Sequence, residues 1–561
     1  MKNYIPLLMA TLLLACNAKQ QADLLVYNAT IYTVDTSFST VEAMLIKDGK
    51  ILAAGKKDSL EKIYESTNKL DAQGKFIYPG FIDAHCHFLA YGRGLQECNL
   101  TGTTSWTNIL QTLKTFAAQH PNGWLVGRGW DQNDWPNKNY PMNDSLNILF
   151  PNRPVMLTRI DGHAVIANRT ALTEAGLKPD ENFSQYKMDG GAPSNAIGNG
   201  SVKITGGELL TINGKLTGVL IDNATELVEK VIPSPTDEDL TRFLQDAEKK
   251  CFAVGLTSVQ DCGLDFKQVE LIEKLYKEGK ISMRMYIMLS DKKENYDYLF
   301  AKGKIQTEQL SVTGFKLYAD GALGSRGACL LQPYSDQPGH TGFLLKPKSY
   351  YDSILPIIAS KGFQACTHAI GDSANRTILN IYTQALQGKP GLRWRIEHAQ
   401  VIDPKDFDLF GASHIIPSVQ PTHATSDMYW AGERLGAQRL ASAYAYKQLL
   451  QQNGWIPLGT DFPVEDISTF KTFLAAAIRK DAKMFPENGF QIENVLTREE
   501  TLRGMTIWAA KAAFEDQLKG SLENGKLADF IILDKNLLTC GEKEILNTKV
   551  LQTFIGGKKA F

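Results

Sequence analysis

Two of the nine histidines in this chain, His85 and His87, stand one residue apart in the stretch GFIDAHCHF. The stretch reads as the end of a buried strand, and on a strand residues i and i+2 face the same side. Two imidazoles presented together can take one metal ion, with Zn–N distances of roughly 2.0 Å. Alone, a His-x-His pair carries little weight, because two hydrogen-bonded histidines at a strand end have the same spacing. The weight comes from partners further along. His368 follows the apolar run FQACT, His398 follows RWRIE, and Asp461 follows IPLGT. Imidazoles and a carboxylate, each ending its own apolar run, form a donor set for a divalent cation, with zinc the default. His163, Asp261, Lys316, Asp320, Glu397 and His423 also fall at run ends. Cys86 points to the opposite face from its two neighbours and is expected to pack as a small hydrophobe rather than as a ligand.

Groups scattered over some 375 residues need a scaffold that returns every run to one place. Eight candidate strands carry them: KFIYPGFIDAH, VMLTRIDGH, GLTSVQDCG, GFKLYADG, FQACTHAIGD, LRWRIEHAQ, IIPSVQPTH and WIPLGTDFP. Segments such as DEDLTRFLQDAEKKCFAVG and KQVELIEKLYKEG lie between them and read as amphipathic helices. Strands alternating with helices argue for a parallel sheet, and eight of them for a closed (β/α)8 barrel whose chemistry sits at the C-terminal strand ends. The spacing is uneven, so 88–150 and 164–240 are expected to hold insertions or lid loops. Both chain ends have a different texture. ADLLVYNATIYTVD and VEAMLIKDGKILAAG read as short strands, the second as a hairpin turning at Asp48-Gly49, and GKLADFIILDKNLL and LQTFIGGKKAF match them in kind. The expected organisation is therefore a β-sandwich in two parts, 22–78 and 516–561, split by a barrel with insertions over 79–515.

Composition narrows the partners. The chain has 561 residues, is 43% hydrophobic and 22% charged, and carries a net charge of −1, so no electrostatic case exists for nucleic acid. Its first residues, MKNYIPLLMATLLLAC, join one lysine to an apolar run too short to span a membrane. They resemble a bacterial lipoprotein signal, with residues 1–15 removed and LLAC placing the lipid on Cys16. That implies an exported protein, periplasmic or anchored to the outer membrane at Cys16, with no other membrane contact. A plain cleaved signal is the other reading. The remaining cysteines show no CxxC spacing and form no disulfide framework. No interface signature indicates an oligomeric state.

The blocks PGFIDAHCHF, RGWDQNDWP, RIDGHAVIAN, GLTSVQDCG, FKLYADGALGSRGA, THAIGDSANR, RIEHAQ, LGTDFPV and KGSLENGKLADFIILD run in order across nearly the whole chain. Together they resemble the amidohydrolase superfamily, specifically the amidohydrolase family 3 branch that includes YtcJ-like proteins and N-substituted formamide deformylase. The resemblance implies an α/β fold: a distorted (β/α)8 TIM barrel, with a small β-sandwich built from both chain ends. It also implies a centre of one or two divalent ions, zinc by default and manganese, iron or cobalt as alternatives. By position, His85 and His87 resemble its first-strand ligands, and Lys316 its bridging fourth-strand lysine. His368 and His398 resemble the ligands of strands five and six, and Asp461 the eighth-strand ligand and proton shuttle. A lysine in such a place is costly unless paired or solvated. An amine of depressed pKa can add carbon dioxide and become a carbamate, so Lys316 is a candidate for N-carboxylation. Pairing with Asp320 or reaching to solvent are its plainer roles.

The reaction this implies is hydrolysis of a carbon–nitrogen bond other than a peptide bond in a small amide, N-acyl or N-formyl compound. Water activated by the metal attacks, and Asp461 passes its proton to the leaving amine. His163, Arg326 or a metal would hold the developing oxyanion, with a purely structural hydrogen-bonding role for His163 left open. Single-metal deaminases of the superfamily usually carry a glutamate three residues after the fifth-strand histidine, where this chain has Gly371. Ring deamination is therefore disfavoured. Ester or cyclic-amide hydrolysis on the same centre is the alternative, and an inactive binding lipoprotein is the reading from a different class. Among other residues, Trp130, Asp131 and Trp135 are candidates for an aromatic substrate pocket, and His423 for a group beside the ligands or the substrate. Trp394 and Trp508 read as core, His340 as a loop residue, and His120 and His414 as surface or packing residues.

Overall fold

The computed structural model describes residues 19–179, 181, 199–387 and 389–561. The leader and Cys16 lie outside the described residues. Seven strands form the parallel barrel sheet in chain order: β1 (Phe81–Cys86), β2 (Leu256–Leu264), β3 (Arg284–Ser290), β4 (Leu310–Tyr318), β5 (Gln364–Ala369), β6 (Arg395–His398) and β7 (Ile416–Ser418). Every residue of β1, β5, β6 and β7 is buried. That suits parallel strands covered on both faces, and explains why they read as continuous apolar runs rather than as alternating ones. The gap between β7 and β1 is filled by residues 456–462. Gly459 donates its N–H to Val419 O at 3.0 Å on one side, while Ala84 and His87 of the other side donate to Leu458 O at 3.2 Å and Phe462 O at 2.8 Å. The barrel closes through this segment, in which only Leu458 makes a regular bridge, to Val419.

Seven strands and the irregular closing segment fill the eight expected places, but with a different membership. VMLTRIDGH was expected in the barrel. Instead Val155–Arg159 pairs antiparallel with Ala164–Ala167 and parallel with Leu125–Trp130, in a separate seven-stranded sheet. A four-residue link cannot make the crossover a parallel pair requires, which takes a dozen residues or more. The true third strand is RMYIMLS, buried at every position but the last. The insert sheet runs from Asn199–Ile204 through Lys215–Asp222 and Val155–Arg159 to Cys98–Asn99.

The two chain ends share one sheet. The strands Gln20–Tyr32, Ala43–Lys47, Lys50–Gly55 and Tyr64–Pro79 join Phe530–Leu533, Val550–Ile555 and Lys558–Lys559 in a single hydrogen-bonded order. It is one sheet rather than two stacked ones. Lys50 at its far edge bridges back to Leu527, just before Phe530–Leu533, so the sheet curls around Val26, Met44, Ile51, Ile77, Phe530 and Phe554. Within it Ala43–Lys47 and Lys50–Gly55 form the expected hairpin, and Asp48 and Gly49 both take the positive φ, 50° and 75°, that a tight primed turn requires. The chain passes into the barrel at Gly80, where a Cβ would collide with Thr257. Arg284 of β3 clamps the joint, donating from Nε and Nη2 to the two oxygens of Asp529 at 2.5 and 2.9 Å.

Candidate metal centre

The chemistry-bearing side chains meet at the C-terminal ends of the barrel strands. His85 Nε2 lies 3.5 Å and His87 Nε2 3.3 Å from Asp461 Oδ1. Asp461 is delivered by the closing segment, and its N–H donates to His85 O at 2.7 Å. The ring of His398 sits 4.7 Å from that of His85, and the ring of His368 lies 4.6 Å from that of His398. Lys316 Nζ is 3.4 Å from His85 Nε2. His423 completes the cluster with Nε2 3.6 Å from Asp461 Oδ2. Asp320 stands behind it, its carboxylate taking the N–H groups of Cys329, Ile370 and Gly371 at 2.8 to 3.0 Å.

Neighbouring acceptors set the tautomers. His85 Nδ1 donates to Glu397 Oε2 at 2.5 Å, and Glu397 is itself paired with Arg395 at 2.7 Å. His398 Nδ1 donates to Gln420 Oε1 at 2.7 Å. In both rings the proton on Nδ1 leaves the Nε2 lone pair free to face the cluster, the arrangement that orients metal-ligating histidines. Burial lowers His85 to about 4, with the charge of Lys316 adding to it. Burial likewise holds His368 and His398 well below the usual imidazole range. Burial alone would raise Asp461, but His85, His87 and His398 hold it well below the usual carboxylate range. For Glu397 burial is overcome by Arg395 and His85, and its pKa falls to about 2. Neutral imidazoles around ionised carboxylates are the state a cation requires.

The residues present fit a metal. Asp461 Oδ1 and His423 Nε2 are buried without a hydrogen-bond partner, an arrangement that costs stability unless something satisfies them. Donor atoms of His85, His87 and Asp461 lie within 4.8 Å of one another, and so do those of His398, His423 and Asp461. Asp461 belongs to both groups. His423 thus joins the donors, a place its run-end position only hinted at.

A cavity of about 1090 Å³ opens above the cluster, walled by the barrel strand ends and by the insert sheet. His163 lines it from the insert, with its ring 5.2 Å from that of His368 and Nδ1 bound to Asp222 Oδ1 at 2.6 Å. Burial works against its charge, yet Asp222 and Asp161 raise its pKa above the usual imidazole value. Arg326 needs correcting. Its guanidinium pairs with Asp336 at 2.9 Å and does not line the cavity, because that carboxylate ten residues on captures it. Trp130 and Trp135 are likewise absent from the cavity. They pack in the insert core, with indole N–H groups bound to Leu157 O and Thr103 O. Asp131 does line the cavity, tied to Arg159. Cys86 packs in the barrel–helix layer as expected, its thiol pushed up by burial.

Sequence reasoning noted Glu397 only by its run-end position and passed over Gln420, Asp222 and Arg159. For Glu397 a signal existed: Arg395 and Glu397 alternate within RIEH, so two opposite charges face one side of a buried strand. Asp222 carried none, since its partner lies 59 positions away.

The sequence profile of the amidohydrolase family (Amidohydro_3) matches residues 69–561. The chain is 31% identical to Protein LONG AFTER FAR-RED 3 of Arabidopsis thaliana, over 96% of this chain and 92% of that protein. It is 24% identical to N-substituted formamide deformylase of Arthrobacter pascens, over 96% and 98% of the two chains. The crystal structure of an uncharacterized metal-dependent hydrolase from Pyrococcus horikoshii superimposes with a TM-score of 0.74 at 27% identity, covering 92% of this chain and 99% of that one. The whole barrel and the C-terminal strands of the end sheet fall within the family match, and the histidine–carboxylate cluster sits where the barrel strands end: the chain belongs to the amidohydrolase family, as a metal-dependent hydrolase.

Proposed function

We propose that the centre hydrolyses a carbon–nitrogen bond other than a peptide bond, in a small amide, N-acyl or N-formyl compound. The observation that carries this reading is Asp461. It is an ionised carboxylate at the cavity floor, in contact with both His85 and His87 and with one oxygen unpartnered. Such a group can accept a proton from water and return it to a nitrogen that would otherwise leave as a strong base. His163 stands on the facing wall with Nδ1 anchored by Asp222, leaving Nε2 to donate to a carbonyl oxygen as charge develops there. A divalent cation among His85, His87, His368, His398 and Asp461, with zinc the metal this donor set favours, supplies Lewis acidity and lowers the pKa of water.

Two further points support an amide over a heteroaromatic ring. No carboxylate extends from position 371, where a Cβ would collide with Cys329 O, so a group to protonate a ring nitrogen is missing there. The similarity to a formamide deformylase extends over nearly the full length of both chains.

The test is a screen of N-formyl and N-acetyl amines, with matched esters, against enzyme loaded with zinc, manganese or cobalt. Amides are expected to turn over. Asp461→Asn is expected to lose about 10²- to 10⁴-fold in kcat, the range for a positioned proton carrier, while keeping its circular-dichroism melting profile. Full activity in Asp461→Asn, or turnover of esters alone, would overturn the proposal.

A further inference from the structure

The cavity wall carries a cation that no carboxylate neutralises. Arg128 lies on the insert strand Leu125–Trp130 and lines the cavity. Its Nη2 donates to Ile160 O at 3.1 Å, and its Nε is buried with no partner. Among the described residues no carboxylate approaches it within ion-pair distance. The other cations lining the cavity, Lys316 apart, differ. Arg159 is held by both Asp131 and Asp161, and Lys292, Lys346 and Lys471 each have an aspartate within 2.9 Å. Burial lowers the pKa of Arg128 despite the more distant charges of Glu97, Asp161, Asp461 and Glu229.

The fork is also shaped. Gly162 takes φ +77° and lies against the guanidinium, where even a Cβ would stand in ordinary contact at 3.4 to 4.0 Å from Nη2, Nη1 and Cζ. The next residue is His163, whose ring is 5.2 Å from that of His368. The fork and the hydrolytic centre therefore open into one cavity from facing walls.

A half-buried guanidinium with donors left over and no paired carboxylate selects a planar anion that can accept two parallel hydrogen bonds. With Glu97 and Glu229 lining the same cavity, a monoanion is tolerated better than a dianion. We infer that Arg128 is a substrate-binding residue and that the compound hydrolysed carries a carboxylate, which Arg128 receives while the scissile bond lies over the metal centre. This rests on the hydrolytic reading above and narrows it from small amides to acylated amino acids or similar acids.

The test compares N-formyl and N-acetyl amino acids with their own carboxamides and with their phosphonate counterparts, on zinc-loaded wild type, Arg128→Gln and Arg128→Lys. Wild type is expected to favour the carboxylate over the carboxamide by about ten- to a hundredfold in kcat/KM. In Arg128→Gln the ratio should collapse toward one, chiefly through KM, and Arg128→Lys should restore part of it. A ratio near one in wild type, a ratio unchanged in Arg128→Gln, or a preference for the phosphonate would overturn the inference. If only esters turn over, the bond assignment fails and the same ratio is read on acyl esters of hydroxy acids and their amides. If nothing turns over, calorimetric titration of the same compounds decides, and equal affinity of carboxylate and carboxamide, or of wild type and Arg128→Gln, overturns it.

Discussion

Lys316 stands fully buried with its amine 3.4 Å from His85 Nε2 and 4.6 Å over the Tyr318 ring. Burial would lower its pKa, but Tyr318, Cys262, Glu397 and Asp461 raise it above the usual lysine value, the reverse of the depression expected from its place at a strand end. An ammonium there opposes a divalent cation, and a carbamate would attract one. We propose that metal loading is coupled to loss of that proton and N-carboxylation of Lys316, read as a carbamate carbonyl resonance after loading in isotopically labelled bicarbonate. A bare amine in a high-resolution map of a metal-loaded crystal would contradict it. At this scale much was legible. Histidines and an aspartate ending separate apolar runs announced themselves by type and position, because imidazole and carboxylate are costly in such runs without a partner. Their supports were not: Gln420 and Asp222 acquire their roles only across strands, and Arg326 was misplaced because nothing in the sequence marks Asp336, ten residues on, as its partner.

The barrel elements carry the site with different precision. β1 and β6 deliver His85 and His398 from fully buried strands, His398 at its strand end with φ 74°, whereas Asp461 comes from the irregular closing segment. That segment passes so near β1 that a Cβ on Gly459 would lie 2.5 Å from His85 N and 2.9 Å from Asp83 Oδ1. Gly459→Ala is expected to cost about 1–3 kcal/mol by overpacking and to shift His85 against Asp461. Urea denaturation would read the first effect, and tenfold or greater loss of metal affinity the second. Unchanged affinity in a folded variant would show that the segment tolerates the intrusion and does not position the ligands. The strand membership shows what periodicity resolves. VMLTR and RMYIMLS are apolar runs of similar length, and only the Asp161-Gly162 turn signal, between two runs four residues apart, marks the first as half of a hairpin.

In the whole molecule, sheets drawn from distant parts of the chain bracket one barrel. The end sheet ties residues 20–79 to 530–559 and is clamped to the barrel by Arg284 and Asp529, while the insert sheet contributes Arg128, Arg159, His163 and Asp222 to the cavity. The strand character of both ends was readable from alternation and turn chemistry, but not their merging into one curled sheet, which depends on pairing across more than 450 positions. The central claim is that the residues gathered beneath this insert hold the metal on which hydrolysis depends. Elemental analysis by plasma mass spectrometry tests it most directly, on wild type and on the double variant His85→Ala/His87→Ala, both purified without chelator. Wild type is expected to hold about one to two equivalents of a divalent metal, and the double variant less than half that with its fold retained. Equal metal content in the two proteins, or a wild type that holds none and gains no turnover when metal is added, would contradict it.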